Sequence, residues 1–330
     1  MNSIEIPPVH RPYFSSNRSC ERFWLIFCWL VVICCSLALW LFWDQTRTMD
    51  LTNYLQQFRT YAPVEYFFQF FTFLGNEEFY LIAIGITFWC ISKSLGFWGS
   101  MFLLVSGVVT SVIKDLTALE RPYLEGMQQL DSYAFPSGHT TNAVMVWGYL
   151  AVRLRKTAFW IWAVVAMVLI PFSRIILGYH FLGDILGGFA FGIPLLLLCL
   201  WISAVFVEKG LLEKIKLPHI IILCIAVPAL LAAFLPISGV HTLMGLMAGS
   251  SVGYALEKSK VRMVEKSRWY FQIIKALLGT AILFGIILGL RSLLPSSDLF
   301  LGFIRYGLGG IWVTLLAPAL FVALKLSPRE

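Results

Sequence analysis

The side chains best suited to chemistry lie in one twelve-residue stretch, Ser173 to Asp184. His180 and Asp184 are four residues apart, so on a helix they would share a face. A carboxylate one turn from an imidazole can hold one ring nitrogen as N–H and leave the other free to attack or to accept a proton. The planar guanidinium of Arg174 suits phosphate oxygens. The stretch indicates phosphoryl chemistry, although a snorkelling arginine beside an interfacial His–Asp pair would use the same residues.

A second cluster pairs two cations earlier in the chain. Lys114 and Arg121 are seven residues apart and are followed by Pro122. On a helix this spacing is two turns, about 10 Å, so both side chains would point the same way. Proline would then end the regular helix. The pattern predicts two cations facing one site.

A third cluster is the tetrapeptide Pro136–His139, which precedes an apolar segment. Gly138 allows close approach of the backbone to a ligand. Ser137 offers a hydroxyl and an N–H, and His139 is a second titratable imidazole. At the start of a helix, such N–H groups can bind an anion.

Taken together, these clusters resemble the three-part motif of the type-2 phosphatidic acid phosphatase superfamily. That superfamily comprises integral-membrane lipid phosphatases, relatives that act on soluble phosphates, and vanadate haloperoxidases. Every motif position is filled in the family's order. The motif covers residues 114–184, the family's six-helix core would cover 23–207, and the last third of the chain lies outside the match. The matching residues read Lys114-x6-Arg121-Pro122, Pro136-Ser137-Gly138-His139 and Ser173-Arg174-x5-His180-x3-Asp184.

The resemblance implies a two-step hydrolysis of a phosphate ester that uses no metal and no cofactor. His180 would attack phosphorus and form a phosphohistidine, with Asp184 holding the imidazole in the attacking tautomer. His139 would protonate the leaving oxygen and then deprotonate the water that cleaves the intermediate. The groups that would bind the non-bridging oxygens are Lys114, Arg121, Ser137, the N–H of Gly138, and Arg174.

Composition places the chain in a membrane. Its 330 residues are 59% hydrophobic and only 13% charged, with a mean hydropathy of +0.80. Soluble domains carry about twice that share of charge. The net charge of +7 is dispersed among short loops, which favours a lipid bilayer over nucleic acid as the partner. The seven cysteines lie mostly in apolar runs without metal-ligand spacing, as packed or lipid-facing small residues do.

The apolar runs predict an all-α fold, a polytopic membrane helical bundle. Residues 1–22 would form a cytoplasmic tail, 23–207 the six-helix phosphatase core, and 208–330 a module with about four more spans. The aromatic-rich residues 44–77 suit the membrane interface or a lid over the site. The ten predicted spans are 23–43, 78–93, 97–114, 141–155, 157–175, 184–207, 218–236, 239–256, 269–290 and 299–324.

The positive charges predict an orientation. If the ten spans alternate from a cytoplasmic N-terminus, 17 of the 25 Lys and Arg residues fall on the cytoplasmic side. This bias predicts cytoplasmic termini and puts all three motifs on the opposite, extracytoplasmic side. The compact loops and short termini favour a bacterial inner (plasma) membrane.

Some charged residues outside the motifs allow more than one interpretation. Glu77 and Glu78 could bond a motif arginine, select substrate, or cap a helix start. Arg305 could pair with Asp298 two turns away, although snorkelling is favoured near the end of a span. Lys275 is expected to snorkel towards the cytoplasm.

A site at the membrane face favours an amphiphilic lipid phosphate as substrate. Candidates are polyprenyl phosphates such as undecaprenyl pyrophosphate, phosphatidate, phosphatidylglycerol phosphate and sphingoid phosphates. Two alternatives are a lipid phosphotransferase with the same site and a transporter of phosphorylated lipids. The C-terminal helices could form a homo-oligomer interface or packing module, a lipid-entry groove or substrate-selecting wall, or a separate transport-like unit coupled to hydrolysis.

Overall fold

The structure, a computed structural model, describes residues 18–123, 130–208, 215–237, 239–291, 293–294 and 298–330. Within these ranges the regular structure is helical, apart from an isolated β-bridge between Met263 and Arg329. The all-α prediction is confirmed. Of the predicted tail 1–22, residues 1–17 lie outside the described part of the chain, and the first helix begins at Arg18.

Helices follow one another along the described chain with short connections. Three of the helices continue directly into a π-helical turn, at Thr87–Ile91, Glu257–Val261 and Trp312–Leu316. The helices are α1 (Arg18–Leu41), α2 (Trp43–Thr46), α3 (Met49–Gln56), α4 (Ala62–Phe73), α5 (Glu77–Ile86), α6 (Lys93–Thr117), α7 (Gly138–Leu154), α8 (Thr157–Ile176), α9 (Leu182–Glu208), α10 (Leu217–Phe234), α11 (Val240–Leu256), α12 (Trp269–Gly289), α13 (Leu299–Ile311) and α14 (Ala317–Ala323).

Seven helical segments among the described residues are long and apolar enough to cross a membrane. They lie in α1, α6, α8, α9, α10, α12 and the continuous run 299–323. The protein is therefore an integral membrane protein. The other three predicted spans also coincide with helices, α5, α7 and α11, but these have 10, 17 and 17 residues. Their crossing of the bilayer stays a prediction.

The chain folds into two compact units. Unit 1 comprises residues 1–79 and 112–209, and unit 2 comprises 80–111 and 210–330. The change of unit after residue 209 lies next to the predicted boundary at 208. Residues 80–111, which the predicted core includes, belong instead to unit 2, so α5 and α6 each contribute to both units.

Unit 1 is built around α7, which packs against α8 and α9. Ser137 is the N-cap of α7, and helix α4 packs on α8 around a small core that includes Phe71, Ala143 and Ile170. A Cβ added at Gly187 would meet the ring of Phe135. This glycine in α9 marks close packing, as the sequence predicts.

Unit 2 has its own apolar core, which contains Trp89, Leu283 and Phe321. Helices α11 and α13 approach each other backbone to backbone. A Cβ at Gly245 or at Gly249 would overlap the facing main chain of α13. Small residues of this kind let transmembrane helices pack closely.

Lys275 does not snorkel, so that prediction is wrong. Its side chain is fully buried in unit 2, and its Nζ donates hydrogen bonds to the carbonyls of Trp89 (3.0 Å) and Glu265 (2.8 Å) and to Ser327 Oγ (2.9 Å). The three acceptors satisfy all three ammonium hydrogens inside the protein, so the side chain need not reach water.

Arg305 is buried as well and does not pair with Asp298. Its Nη1 donates to the carbonyl of Leu294 at 2.9 Å. Asp298 instead caps α13 by accepting from the N–H of Leu301 at 2.8 Å. The Asp298 carboxylate bonds the start of α13 and not Arg305, because the first N–H groups of a helix have no partner within the helix.

Candidate active site

The motif residues lie at the ends of four consecutive helices in unit 1. Lys114 is in the last turn of α6 and Arg174 in the last turn of α8. His139 is in the first turn of α7 and Asp184 in the first turn of α9. Helices α7 and α8 are joined by two residues, so they run antiparallel. The ends that carry the motifs therefore lie on one side of the bundle.

The turn between α8 and α9 sets the spacing of the third motif. The carbonyl of Arg174 accepts from the N–H groups of Tyr179 (2.9 Å) and His180 (3.3 Å). Gly178 has φ of +76°, a conformation that favours glycine. Since α9 begins at Leu182, His180 precedes the helix, and the prediction that His180 and Asp184 share a helix face is wrong.

His180 and Asp184 nevertheless meet. The Oδ2 atom of Asp184 lies 3.2 Å from His180 Nδ1 and also accepts from the N–H of Phe181 at 2.9 Å. The carboxylate caps the start of α9 and bonds the imidazole with the same oxygen. This contact depends on the helix start, which the i, i+4 spacing alone did not reveal.

The first motif also departs from the predicted helix. Helix α6 ends at Thr117, and Ala118 has φ of +48°, so Arg121 lies in the following loop. The prediction of two cations on one helix face is therefore wrong. Hydrogen bonds from the Arg121 guanidinium to the carbonyl of Ser132 (2.7 Å), Ser132 Oγ (2.9 Å) and the carbonyl of Tyr179 (2.9 Å) bring it to the third motif.

The surroundings of His180 determine its tautomer. Nη1 of Arg121 lies 3.1 Å from Nε2 of His180. A guanidinium can only donate and an ionised carboxylate can only accept, so Nε2 carries the lone pair and Nδ1 carries the proton. Burial lowers the pKa of His180 well below its usual value, and the cations Arg121, Arg174, Lys114 and Arg47 lower that pKa further. These surroundings favour a neutral imidazole whose Nε2 is unprotonated.

Ser137 has two structural roles at the start of α7. Its N–H donates to the carbonyl of Asp184 at 2.9 Å, and its Oγ accepts from the N–H of Thr140 at 3.4 Å. The Ser137 N–H is thus not available to an anion, contrary to the prediction. Gly138 is the first residue of α7, where the N–H groups have no partner within the helix.

Arg174 and His139 are each held by a residue that precedes α5. Arg174 is 6% exposed, and its Nη1 donates to Thr72 Oγ1 at 2.6 Å. Its Nε is buried without a hydrogen-bond partner among the described residues, which leaves a donor for a ligand. His139 Nε2 lies 3.0 Å from Asn76 Oδ1.

Coulombic interactions link the remaining motif charges. Lys114 interacts with Arg121, Asp184 and Arg174, and His139 interacts with the same two arginines, Lys114 and His180. The structure thus brings the three sequence clusters into one polar site.

Glu77 and Glu78, the non-motif acids that the sequence singled out, lie in the first turn of α5 and are exposed. Among the described residues neither forms an ion pair with a motif arginine. Their place in the first turn suits support of the helix start, and Glu77 also interacts electrostatically with the motif residue Lys114. A role in substrate selection stays a prediction.

Sequence reasoning missed four residues of the aromatic-rich segment 44–77. Arg47 forms an ion pair with Asp184, and the Nε2 of Gln56 donates to the last carbonyls of α8 at 2.7 and 3.2 Å. Thr72 and Asn76 bond Arg174 and His139. The signal available was position: this segment falls on the same predicted side of the membrane as the motifs.

The chain resembles known protein families and individual proteins. A family model described as the PAP2 superfamily matches residues 97–208. A second model, the transmembrane extension of PAP2 superfamily phosphatases, matches 241–329. Phosphatidylglycerophosphatase B of Bacillus subtilis is 34% identical over 161 residues, which are 44% of this chain and 73% of the relative. The chain belongs to the PAP2 superfamily. This membership makes it a membrane-embedded phosphatase of the PAP2 type.

Two other relatives are matched over smaller shares of their own lengths. Lipid phosphate phosphatase delta of Arabidopsis thaliana is 26% identical over 158 residues, covering 42% of this chain and 37% of the relative. Lipid A 4'-phosphatase of Porphyromonas gingivalis is 42% identical over 64 residues, covering 18% and 26%. A crystal structure of a transmembrane PAP2-type phosphatidylglycerolphosphate phosphatase from Bacillus subtilis gives a TM-score of 0.44 at 26% identity, covering 58% of this chain and 96% of that one.

Proposed function

We propose that this PAP2 phosphatase hydrolyses the phosphomonoester or pyrophosphate of a membrane lipid through a phosphohistidine on His180. The observation that carries the proposal is the position of His180 between two partners. Asp184 accepts from Nδ1, and Arg121 donates to Nε2. A neutral imidazole with an unprotonated Nε2 beside an arginine is arranged to attack a phosphate that the same arginine attracts.

The first step forms the bond from His180 Nε2 to phosphorus while the bond to the leaving oxygen breaks. His139 would act in its imidazolium form, which the negative charge of the bound phosphate favours; it gives its proton to the leaving oxygen and becomes neutral, ready to accept a proton in the second step. Asp184 stabilises the positive charge on the phosphorylated ring. In the second step water attacks phosphorus, gives its proton to His139, and releases inorganic phosphate and free Nε2.

The phosphoryl oxygens would be bound by the cations and by donors that the protein leaves unused. The Nε of Arg174 is buried without a partner, and the N–H of Gly138 opens α7. Arg121 and Lys114 would add charge opposite the developing negative charge. Ser137 would contribute its hydroxyl proton, since its oxygen already caps α7.

The lipid class rests on two arguments. The relatives are named for phosphatidylglycerophosphate, lipid phosphates and lipid A phosphate. The site lies at helix ends of a membrane protein, where an acyl or prenyl chain can stay in the bilayer while its phosphate enters. We favour a glycerolipid or polyprenyl phosphate for this reason.

The site would face the extracytoplasmic side, with both termini in the cytoplasm. The basic residues Arg153, Arg155 and Lys156 lie at the junction of α7 and α8, at the opposite end of these helices from the motifs. Positive charge marks cytoplasmic connections. Two of the named relatives come from bacteria, which supports a bacterial plasma membrane as the location of this protein.

Phosphate release from a panel of lipid phosphates by the purified protein in detergent tests the proposal. We expect release that persists with a chelator, and a loss of at least about 10³-fold in His180→Ala. A rapidly quenched reaction with radiolabelled substrate should label wild type with an acid-labile, base-stable phosphoryl group. The matched control is Arg59→Gln, a change in an ion pair with Glu65 outside the site.

Three outcomes would contradict the proposal. If His180→Ala released phosphate at the wild-type rate, His180 could not be the nucleophile. Transfer of phosphate to a second lipid without inorganic phosphate would indicate a phosphotransferase. A transporter would be indicated if wild type hydrolysed no lipid, and if both wild type and His180→Ala moved phosphorylated lipid across a vesicle membrane.

A further inference from the structure

We infer that Arg47, which lies outside the three motifs, is a positioning residue that fixes the Asp184 carboxylate against His180 and joins the first and third motifs. The inference rests on the proposed function, because it assigns Arg47 a part in preparing the His180 nucleophile. Arg47 lies just after α2, about 70 residues before the first motif ends, so motif spacing does not reveal it.

The contacts of Arg47 connect separate parts of the site. Its Nη1 donates to Asp184 Oδ1. Its Nη2 donates to the carbonyl of Glu120 at 2.9 Å. Glu120 immediately precedes Arg121, so one planar guanidinium holds both the acid and the main chain that carries the phosphate-binding arginine. A fork with two separate N–H groups is suited to such a bridge.

The two oxygens of Asp184 have separate tasks as a result. Oδ1 pairs with Arg47, while Oδ2 faces His180 Nδ1 and the N–H of Phe181. Asp184 is completely buried, and the Arg47 side chain is 11% exposed. A buried carboxylate without a counter-charge is costly, so Arg47 also compensates the desolvation of Asp184. Without Arg47 the carboxylate could rotate away from the imidazole.

Aromatic rings hold the cation in this place. The guanidinium carbon of Arg47 lies 4.9 Å from the centre of the Phe181 ring and 5.6 Å from that of Trp43. Phe181 directly follows His180 in the chain. A flat guanidinium can stack on such faces and still use its edge N–H groups, which an ammonium group cannot do. The site therefore selects arginine over lysine.

Arg47 also affects the pKa of His180, which a purely structural residue would not do. The charged and titratable groups around His180 are Arg121 in the loop after α6, Lys114 on α6, His139 on α7, Arg174 on α8, Asp184 on α9 and Arg47 after α2. Arg47 is one of the cations that lower the pKa of His180. Removing it raises that pKa for two reasons: a cation is lost, and Asp184 is left unneutralised beside the ring.

The experiment compares Arg47→Gln, Arg47→Lys and the control Arg59→Gln as purified full-length proteins. We expect kcat to fall about 10- to 100-fold in Arg47→Gln with a much smaller change in KM, because Arg47 uses its N–H groups on Asp184 and Glu120 and would act through them. The acid limb of kcat/KM should move to higher pH. Arg47→Lys should keep most of the position of that limb but recover only part of kcat.

A double-mutant cycle isolates the route of the effect. In an Asp184→Asn background, Arg47→Gln should cost little further activity, because the residue acts through that carboxylate. If Arg47→Gln does not yield folded protein, the kcat of Arg47→Lys decides, because that variant is expected to lose activity while its acid limb stays nearly in place. Rates within about twofold of wild type and an unmoved acid limb in the folded variants would overturn the inference.

The two proposals fail in different ways. If wild-type protein releases no phosphate, or if His180→Ala stays active, the proposed function fails whatever Arg47 does. If wild type is active and His180→Ala is inactive, but the Arg47 variants have the same rates and pH profiles as Arg59→Gln, then only the proposed role of Arg47 is wrong.

Discussion

Nη1 of Arg121 lies 3.1 Å from Nε2 of His180, the nitrogen that we propose as the nucleophile. The same guanidinium is tied by Ser132 and Tyr179. An N–H of the arginine thus points at the lone pair of the imidazole. In the proposed reaction the Arg121 N–H groups would bind the phosphoryl oxygens, which would free Nε2 for attack.

The titration of His180 is the first prediction. Burial, followed by Arg121, lowers its pKa below the ordinary value of about 6.5. A lowered pKa means that the neutral, Nδ1-protonated ring persists below pH 6.5 and is lost only as the pH falls through the shifted value. Nitrogen-15 NMR of histidine-labelled protein in detergent measures both the tautomer and the titration.

The resonance of His180 is assigned as the one missing from His180→Gln. His219, at the start of α10, supplies a control from the same sample. A His180 ring that titrates near or above pH 6.5, or that carries its proton on Nε2, would contradict the arrangement of donors and acceptors described for the site.

A second prediction concerns Asn76, which bonds Nε2 of His139 through Oδ1 at 3.0 Å. Since this contact orients the proposed general acid, Asn76→Ala should impair protonation of the leaving oxygen. The loss should be about tenfold or more for an alkyl phosphate, whose leaving group needs a proton. It should be much smaller for p-nitrophenyl phosphate, whose leaving group is a stable anion. Steady-state rates on both substrates make the comparison.

Asn53→Ala is the matched control, because Asn53 is an exposed residue of α3 in the same aromatic-rich segment. It should leave both rates near wild type. Equal losses on the two substrates in Asn76→Ala would indicate a general disturbance of the site and not a role through His139.

Much of the fold could be predicted because membrane spans are marked by long apolar runs. All ten predicted spans coincide with helices, and alternating these spans predicted that the three motifs lie on one side. The failures occur where a local feature competes with periodicity. Ala118 ends α6 before Arg121, and α9 starts after His180. In both places a turn brings the residue into the site, where the spacing suggested a helix.

Long-range polar contacts of residues outside the three motifs could not be predicted. Nothing in the residues around Arg47 indicates that its partner lies 137 positions away at Asp184. Lys275 shows the same limit, since a lysine near the end of an apolar run ordinarily reaches water. Its three acceptors come from distant segments that only the folded unit 2 brings together.

The last prediction concerns the packing of α11 on α13 in unit 2. A Cβ added at Gly249 would overlap the main chain of Gly307, including its carbonyl oxygen. Backbone atoms cannot move away by a change of rotamer, so Gly249→Ala must push the two helices apart. We expect the free energy of unfolding to fall by about 1–3 kcal/mol. Gly285→Ala in α12 is the matched control, because nothing lies within 4 Å of its Cβ position. That change should be neutral or stabilise by up to about 1 kcal/mol through helix propensity. Thermal unfolding in one detergent compares the two variants, and equal midpoints would show that the close approach of these helices does not limit stability.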